Sequence, residues 1–142
     1  LATIALDTNI LLYGENLRIV DADDRKIALA VQLLDRLHEG GDDVCLPMQV
    51  TGELHNGLRR KLKLAPAEAN QRVLRWMQAF RPIATSEAVM RTAFALAEQH
   101  NLQTYDAIIL AAAASAGCEL LYSEDMQDGF LWGGVMVANP FL

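Results

Sequence analysis

At 142 residues the chain is long enough for one domain with a real core, and 52% of it is hydrophobic. A net charge of −6 argues against a generic nucleic-acid binder, which is usually basic, and no apolar run is long enough to span a bilayer. Strand-like residues follow Leu1 at once with nothing resembling a leader peptide, so a single cytoplasmic domain over residues 1–142 is expected.

The first apolar run, Thr3-Ile4-Ala5-Leu6, reads as a strand that exits onto Asp7, and a helix begins over Asn9 to Tyr13. A polar turn at Asp21-Ala22-Asp23-Asp24 leads into a second helix. There Ile27, Val31, Leu34 and Leu37 recur at helical spacing until Gly40-Gly41. Val44-Cys45-Leu46 is a short strand punctuated by Pro47, and Val50, Leu54, Leu58 and Leu62 give the next helix a buried face. Pro66 suits the first turn of a further helix, lined on one side by Ala69, Val73, Trp76 and Phe80. Pro82-Ile83-Ala84 reads as a weak strand. Ser86 and Thr104 are candidate caps for the last two helices, the second of them alanine-rich. Glu119-Leu120-Leu121-Tyr122 is a strand followed by Asp125, and Gly133-Gly134-Val135-Met136-Val137 a turn and a final strand. Strands alternating with helices predict an α/β fold with a mostly parallel sheet. Cys45 and Cys118 fall in or beside buried strands and read as packed thiols; no CxxC or Cys/His spacing suggests zinc.

Four acids stand out by position. Asp7 and Asp125 follow strands, Glu53 lies early in the third helix, and Asp106 opens the alanine-rich helix. Each alone has an ordinary explanation: a cap, a residue favoured by the helix dipole, a solvated helix position or a surface turn. Together they point elsewhere, because the carboxyl ends of parallel strands share one edge and converge on a crevice there. Crowded carboxylates raise one another's pKa, and a divalent cation is the natural compensation. Hard oxygen ligands select Mg2+ or Mn2+ over zinc. Around the third helix, Glu53, Asn56, Gly57 and Arg60 share one row off the apolar face. His55, about 200° from Glu53 on an ideal helix, points away.

The segments Asp7-Thr8-Asn9-Ile10-Leu11-Leu12-Tyr13, Glu53, Tyr105-Asp106-Ala107 and Ser123-Glu124-Asp125-Met126 are together similar to the PIN-domain family, most of all to the VapC-type toxins of bacterial toxin–antitoxin pairs. The resemblance covers the whole chain in order and spacing. It implies a three-layer α/β/α sandwich with a mostly parallel sheet of about five strands. It also implies Mg2+- or Mn2+-dependent endoribonuclease activity, with Asp7, Glu53, Asp106 and Asp125 as catalytic and metal-binding residues. Asn9 matches the polar residue that helps hold the first Asp, and Ser123 the hydroxyl residue beside the fourth acid. Asp7 and Asp106 are expected as core ligands, with Glu53 and Asp125 directing waters or holding a second ion. Arg59, Arg60 and Lys61 are candidates for contact with the RNA backbone. A small antitoxin and a second copy of the chain are the expected protein partners, with apolar surface around Leu11, Leu12 and Tyr13 as their candidate contact.

Two other acid-rich α/β enzymes fit less well. A receiver-type phosphoryl-transfer domain wants paired acids after the first strand and a late lysine, whereas Asp7 is single and no lysine follows Lys63. A dehalogenase-like phosphatase wants a second Asp two residues on, where this chain has Asn9. The non-enzymatic alternative is a PIN-like module that binds RNA or protein with its site silent.

Overall fold

The fold is described from a computed structural model, which covers residues 1–17 and 23–142. Asp21 and Ala22 of the expected polar turn lie outside the described residues.

Strand β1 (Thr3–Leu6) leads to helices α1 (Thr8–Gly14) and α2 (Asp24–Glu39), then to β2 (Asp43–Pro47), α3 (Met48–Arg60) and α4 (Pro66–Ala79). There follow β3 (Arg81–Ile83), α5 (Glu87–His100), α6 (Thr104–Ser115), β4 (Leu120–Tyr122), β5 (Leu131–Trp132) and β6 (Val135–Ala138). The sheet runs β3-β2-β1-β4-β6-β5, parallel throughout except for the β5–β6 hairpin at its edge. The expected α/β architecture with a mostly parallel sheet is therefore the observed one. The additional strand, β5, is only two residues long. Its tight turn needs positive φ at both central residues, which Gly133 (58°) and Gly134 (80°) supply.

From β1 the chain winds outward through β2 to β3, then returns to the other side of β1 to lay down β4. Right-handed crossovers in these two directions put their helices on opposite faces of the sheet. α1 packs on α2 and α3, and α3 on α4; α5 packs on α6. The order reverses between β1 and β4, so the crevice at their carboxyl ends is the topological switch point.

Local signals account for most helix ends. Asp23 caps α2 by accepting from Arg25 N at 2.8 Å, Pro66 opens α4, and Ser86 Oγ accepts from Val89 N at 3.2 Å. Thr104 departs from expectation. Gln103 holds the extended N-cap conformation, so Thr104 is already the first helical residue and makes no capping bond. α6 is apolar all round, with Ala107 to Ala113 buried continuously, as befits a helix enclosed by the core.

The expected apolar contact surface on α1 is not there. Leu11 and Leu12 are buried along with Ile10, because this short helix is enclosed by α2 and α3. Among the described residues, the large apolar side chains left exposed are instead Leu74 on α4, Phe94 on α5, Tyr105 on α6 and Leu131 on β5, with Met48, Met136, Leu1 and Leu142. Cys45 and Cys118 are both buried and free. No helix among the described residues is long and apolar enough to cross a membrane.

Candidate metal centre

Asp7 is the pivot of the switch-point crevice. It leaves β1 with its N–H donating to Tyr122 O at 3.0 Å, which continues the ladder to β4 for one more residue. Its carboxylate then serves two purposes. Oδ1 caps α1 by accepting from Thr8 N at 2.7 Å, and Oδ2 accepts the Ser123 hydroxyl at 2.6 Å. The helix-cap explanation therefore holds for this residue, which also faces the acidic crevice. Asp7 is only 3% exposed. Burial pushes its pKa up, the bonds from Ser123 and Thr8 pull it down, and the nearby charges of Asp125 and Glu124 push it up further, leaving it raised.

Ser123, fully buried, leaves β4 next to Asp7. Its Oγ also accepts the Asp125 N–H at 3.2 Å, so a single hydroxyl links the first acid to the backbone of the last. Asp106 enters from the first turn of α6. Each of Asp7, Asp106 and Asp125 offers a carboxylate oxygen, and these oxygens lie within 4.8 Å of one another. Asp106 is raised to about 6 by burial and then by Asp7 and Asp125. Asp125 is raised by burial and then by Glu124, with Lys61 and Lys26 opposing.

Glu53 faces the same cleft from α3 but stands outside this three-way cluster. Its pKa rises to about 6, through burial first, then the charge of Asp7, against a hydrogen bond from Gln49, with Asp106 and Asp125 adding to the rise. Its Oε2 is buried and has no hydrogen-bond partner among the described residues. Of the four expected acids, Asp7, Asp106 and Asp125 thus bring carboxylate oxygens together, and Glu53 stands at their flank.

The cleft has a volume of about 200 Å³ and is lined by Asp7, Glu53 and Asp125 together with Asn56, Gly57 and Lys61 on the α3 side. Of the expected helical row, Arg60 lies beyond it, donating to Asn56 Oδ1 at 3.1 Å. Arg59 is turned to the chain after α3, donating to Leu64 O at 3.0 Å, so Lys61 is the basic residue that borders the acids. His55 meets Asn70 at 2.6 Å, away from the cleft.

Asn9 is placed differently from its sequence-based role. Its amide donates to Glu124 Oε1 at 2.9 Å and not to Asp7. Glu124, to which the sequence assigns no role of its own, also accepts from Tyr13 OH at 2.7 Å and Lys26 Nζ at 2.8 Å. The adjacent acids Glu124-Asp125 were visible, but nothing local distinguishes the one that faces the cleft from the one that faces α1 and α2.

This donor set fits a hard divalent cation. It is all oxygen, its acids have raised pKa values that a cation would relieve, and the neighbouring Glu53 Oε2 is buried without a partner among the described residues.

Several solved structures share the fold. A toxin–antitoxin complex from Klebsiella pneumoniae aligns at 23% identity, covering 96% of this chain and 97% of that one, with a TM-score of 0.69. FitAcB from Neisseria gonorrhoeae aligns at 25% identity over 97% and 98% of the two chains, with a TM-score of 0.64. Mycobacterium tuberculosis VapC20, a sarcin-ricin loop cleaving toxin, aligns at 19% identity over 86% and 89%, with a TM-score of 0.66. No curated protein sequence matches. A sequence model of the PIN domain matches residues 4–128, from β1 through the loop that carries Asp125, and the chain accordingly belongs to the PIN domain family.

Proposed function

We propose that residues 1–142 form a single nuclease domain, a divalent-metal-dependent endoribonuclease that hydrolyses RNA phosphodiester bonds as the toxin of a toxin–antitoxin pair. The observation that carries this reading is the meeting of Asp7, Asp106 and Asp125 within 4.8 Å at the switch point of the sheet. Support for RNA as substrate comes from the fold shared with VapC20, described as cleaving the sarcin-ricin loop. Support for a small antitoxin partner comes from the fold shared with the Klebsiella pneumoniae toxin–antitoxin complex. A homodimer is proposed as well, with the exposed Phe94 and Tyr105 on the adjoining helices α5 and α6 as candidate contacts in place of Leu11 and Leu12.

Asp7, Asp106 and Asp125 are the residues that would hold Mg2+ or Mn2+. Such an ion, when bound, lowers the pKa of a coordinated water and offsets charge on the phosphate under attack. Glu53, raised to about 6 and with Oε2 uncommitted, accepts the proton of the attacking water. Ser123 holds Asp7 in place, and Lys61 meets a phosphate of the RNA backbone beside Asp125. Arg59 and Arg60 lie farther out and serve longer-range attraction.

The test is cleavage of a labelled total-RNA pool with Mg2+ or Mn2+ and with chelator, for the wild type and Asp7→Asn. Metal-dependent cutting that the substitution abolishes is the expected result. A folded wild-type protein that cuts nothing with either metal would favour a silent module that binds RNA or protein.

A further inference from the structure

Three consecutive residues after β4 divide between two directions. Ser123 and Asp125 turn into the acidic crevice, while Glu124 between them turns out of it and is held from three sides. Its Oε1 accepts from Asn9 Nδ2 at 2.9 Å and from Tyr13 OH at 2.7 Å, and its Oε2 accepts from Lys26 Nζ at 2.8 Å. Asn9 and Tyr13 are one turn apart on α1, and Lys26 is in the first turn of α2. The Lys26 ammonium also sits over the rings of Tyr13 and Phe141, 5.9 and 5.7 Å from their centroids, and those rings meet edge to face. One carboxylate thereby joins the β4 exit to α1, α2 and the C-terminal segment.

The placement has an electrostatic cost. Glu124 adds a negative charge beside Asp7 and Asp125 and opposes the ionisation of both. A glutamine there could accept from Asn9 and Tyr13 without that charge. What the carboxylate gains is the ion pair with Lys26, 11% exposed on the acid's side and 35% on the lysine's, which partly neutralises it. Fixing Glu124 also fixes the backbone on either side of it, in a segment that reaches no further strand until Leu131.

We infer that Glu124, held by Asn9, Tyr13 and Lys26, is a positioning residue that sets Ser123 and Asp125 against Asp7 for binding the divalent ion. The inference rests on the metal-site reading above. Groups that orient metal ligands in this way typically change metal affinity or activity by about 10- to 100-fold when lost.

Charge and positioning predict opposite signs for Lys26→Met, and this makes the test decisive. Losing a cation beside an acidic site tightens Mn2+ binding if only charge matters, whereas losing the anchor weakens it. The measurement is calorimetric titration of the whole chain with Mn2+, with thermal unfolding in parallel. The expected result is about 10-fold weaker binding for both Lys26→Met and the charge-neutral Tyr13→Phe, with recovery in Lys26→Arg. Unchanged or tighter binding in folded Lys26→Met overturns the anchor while leaving the metal site standing. If Lys26→Met does not fold, Tyr13→Phe decides by the same criterion. A wild type that binds no Mn2+ removes the metal-site reading and the anchor with it.

Discussion

Ser123 Oγ and Asp7 Oδ2 are 2.6 Å apart although 116 residues separate them in sequence, and the same hydroxyl receives the N–H of Asp125. This bond lowers the pKa of Asp7 against the opposing effect of burial. Ser123→Ala removes it, so Asp7 should hold its proton to higher pH and the spacing between Asp7 and Asp125 should loosen. RNA cleavage is expected to fall about 10- to 100-fold, with the acid limb of its pH–rate profile shifted upward. Rate measurements across pH on both proteins check this.

Without metal, the crevice should respond to acid in a particular direction. Glu53 and Asp106 titrate near 6 in the folded chain, above the 4.5 and 3.8 of unperturbed carboxyls. The folded state therefore binds more protons than the unfolded state between those limits, and stability falls as pH rises from about 4 to about 6. The chelator-treated protein should show this component as a higher Tm at pH 5 than at pH 7. Asp106→Asn should reduce the difference. A Tm difference the same in both proteins would contradict the assignment.

Mn2+ should reverse the penalty by binding the ionised acids. At roughly 100 times its Kd it should add about 2.7 kcal/mol of stability at pH 7. Asp7→Asn should lose that gain and in chelator lie close to the wild type, the relief of crowded charge being offset by an amide nitrogen that cannot accept from Ser123 or Thr8. Thermal unfolding with and without Mn2+ tests both statements.

Lys61 and Arg59 are neighbours in the same basic patch but should behave differently. Lys61 borders the acidic cleft, whereas Arg59 is bonded to Leu64 O. Lys61→Met should weaken RNA binding and reduce its dependence on salt by about one phosphate contact. Arg59→Met should do so less, and show more of its effect in stability. Binding of a single-stranded RNA probe by a metal-free Asp7→Asn background, at several salt concentrations, separates the two.

Away from the crevice, Glu15 is nearly buried at the end of α1, with its side chain 6% exposed. It accepts from Arg72 Nη1 at 2.7 Å and from Trp76 Nε1 at 2.6 Å. Arg72→Met would leave a carboxylate without its charge partner. Because Arg72 itself is 21% exposed, the loss should fall short of a fully buried pair, about 2 kcal/mol. Chemical denaturation measures it.

The sheet and the positions of the acids were legible because both are written locally. Apolar runs mark β1 and β4, and Asp7 and Asp125 follow their ends within three residues. What sequence left out depends on distant partners. Glu124 is joined to Lys26, Tyr13 and Asn9 across 98, 111 and 115 residues, and no periodicity encodes such a meeting. Leu11 and Leu12 looked available because seven residues of helix give no clear apolar face. Only the packing of α2 and α3 around α1 buries them. β5, two residues beside a Gly-Gly turn, is too short for its alternation to be read.

The switch point also orders events in time. Asp7 is synthesised well before Asp125, and β4 takes its place beside β1 only after the helices between them are made. A growing chain that has completed β3 and its helices still has one wall of the crevice missing. Any activity that needs Asp7 and Asp125 together is thus withheld until β4 and the segment beyond it have emerged and closed against β1, so a copy that stops short of Asp125 lacks it.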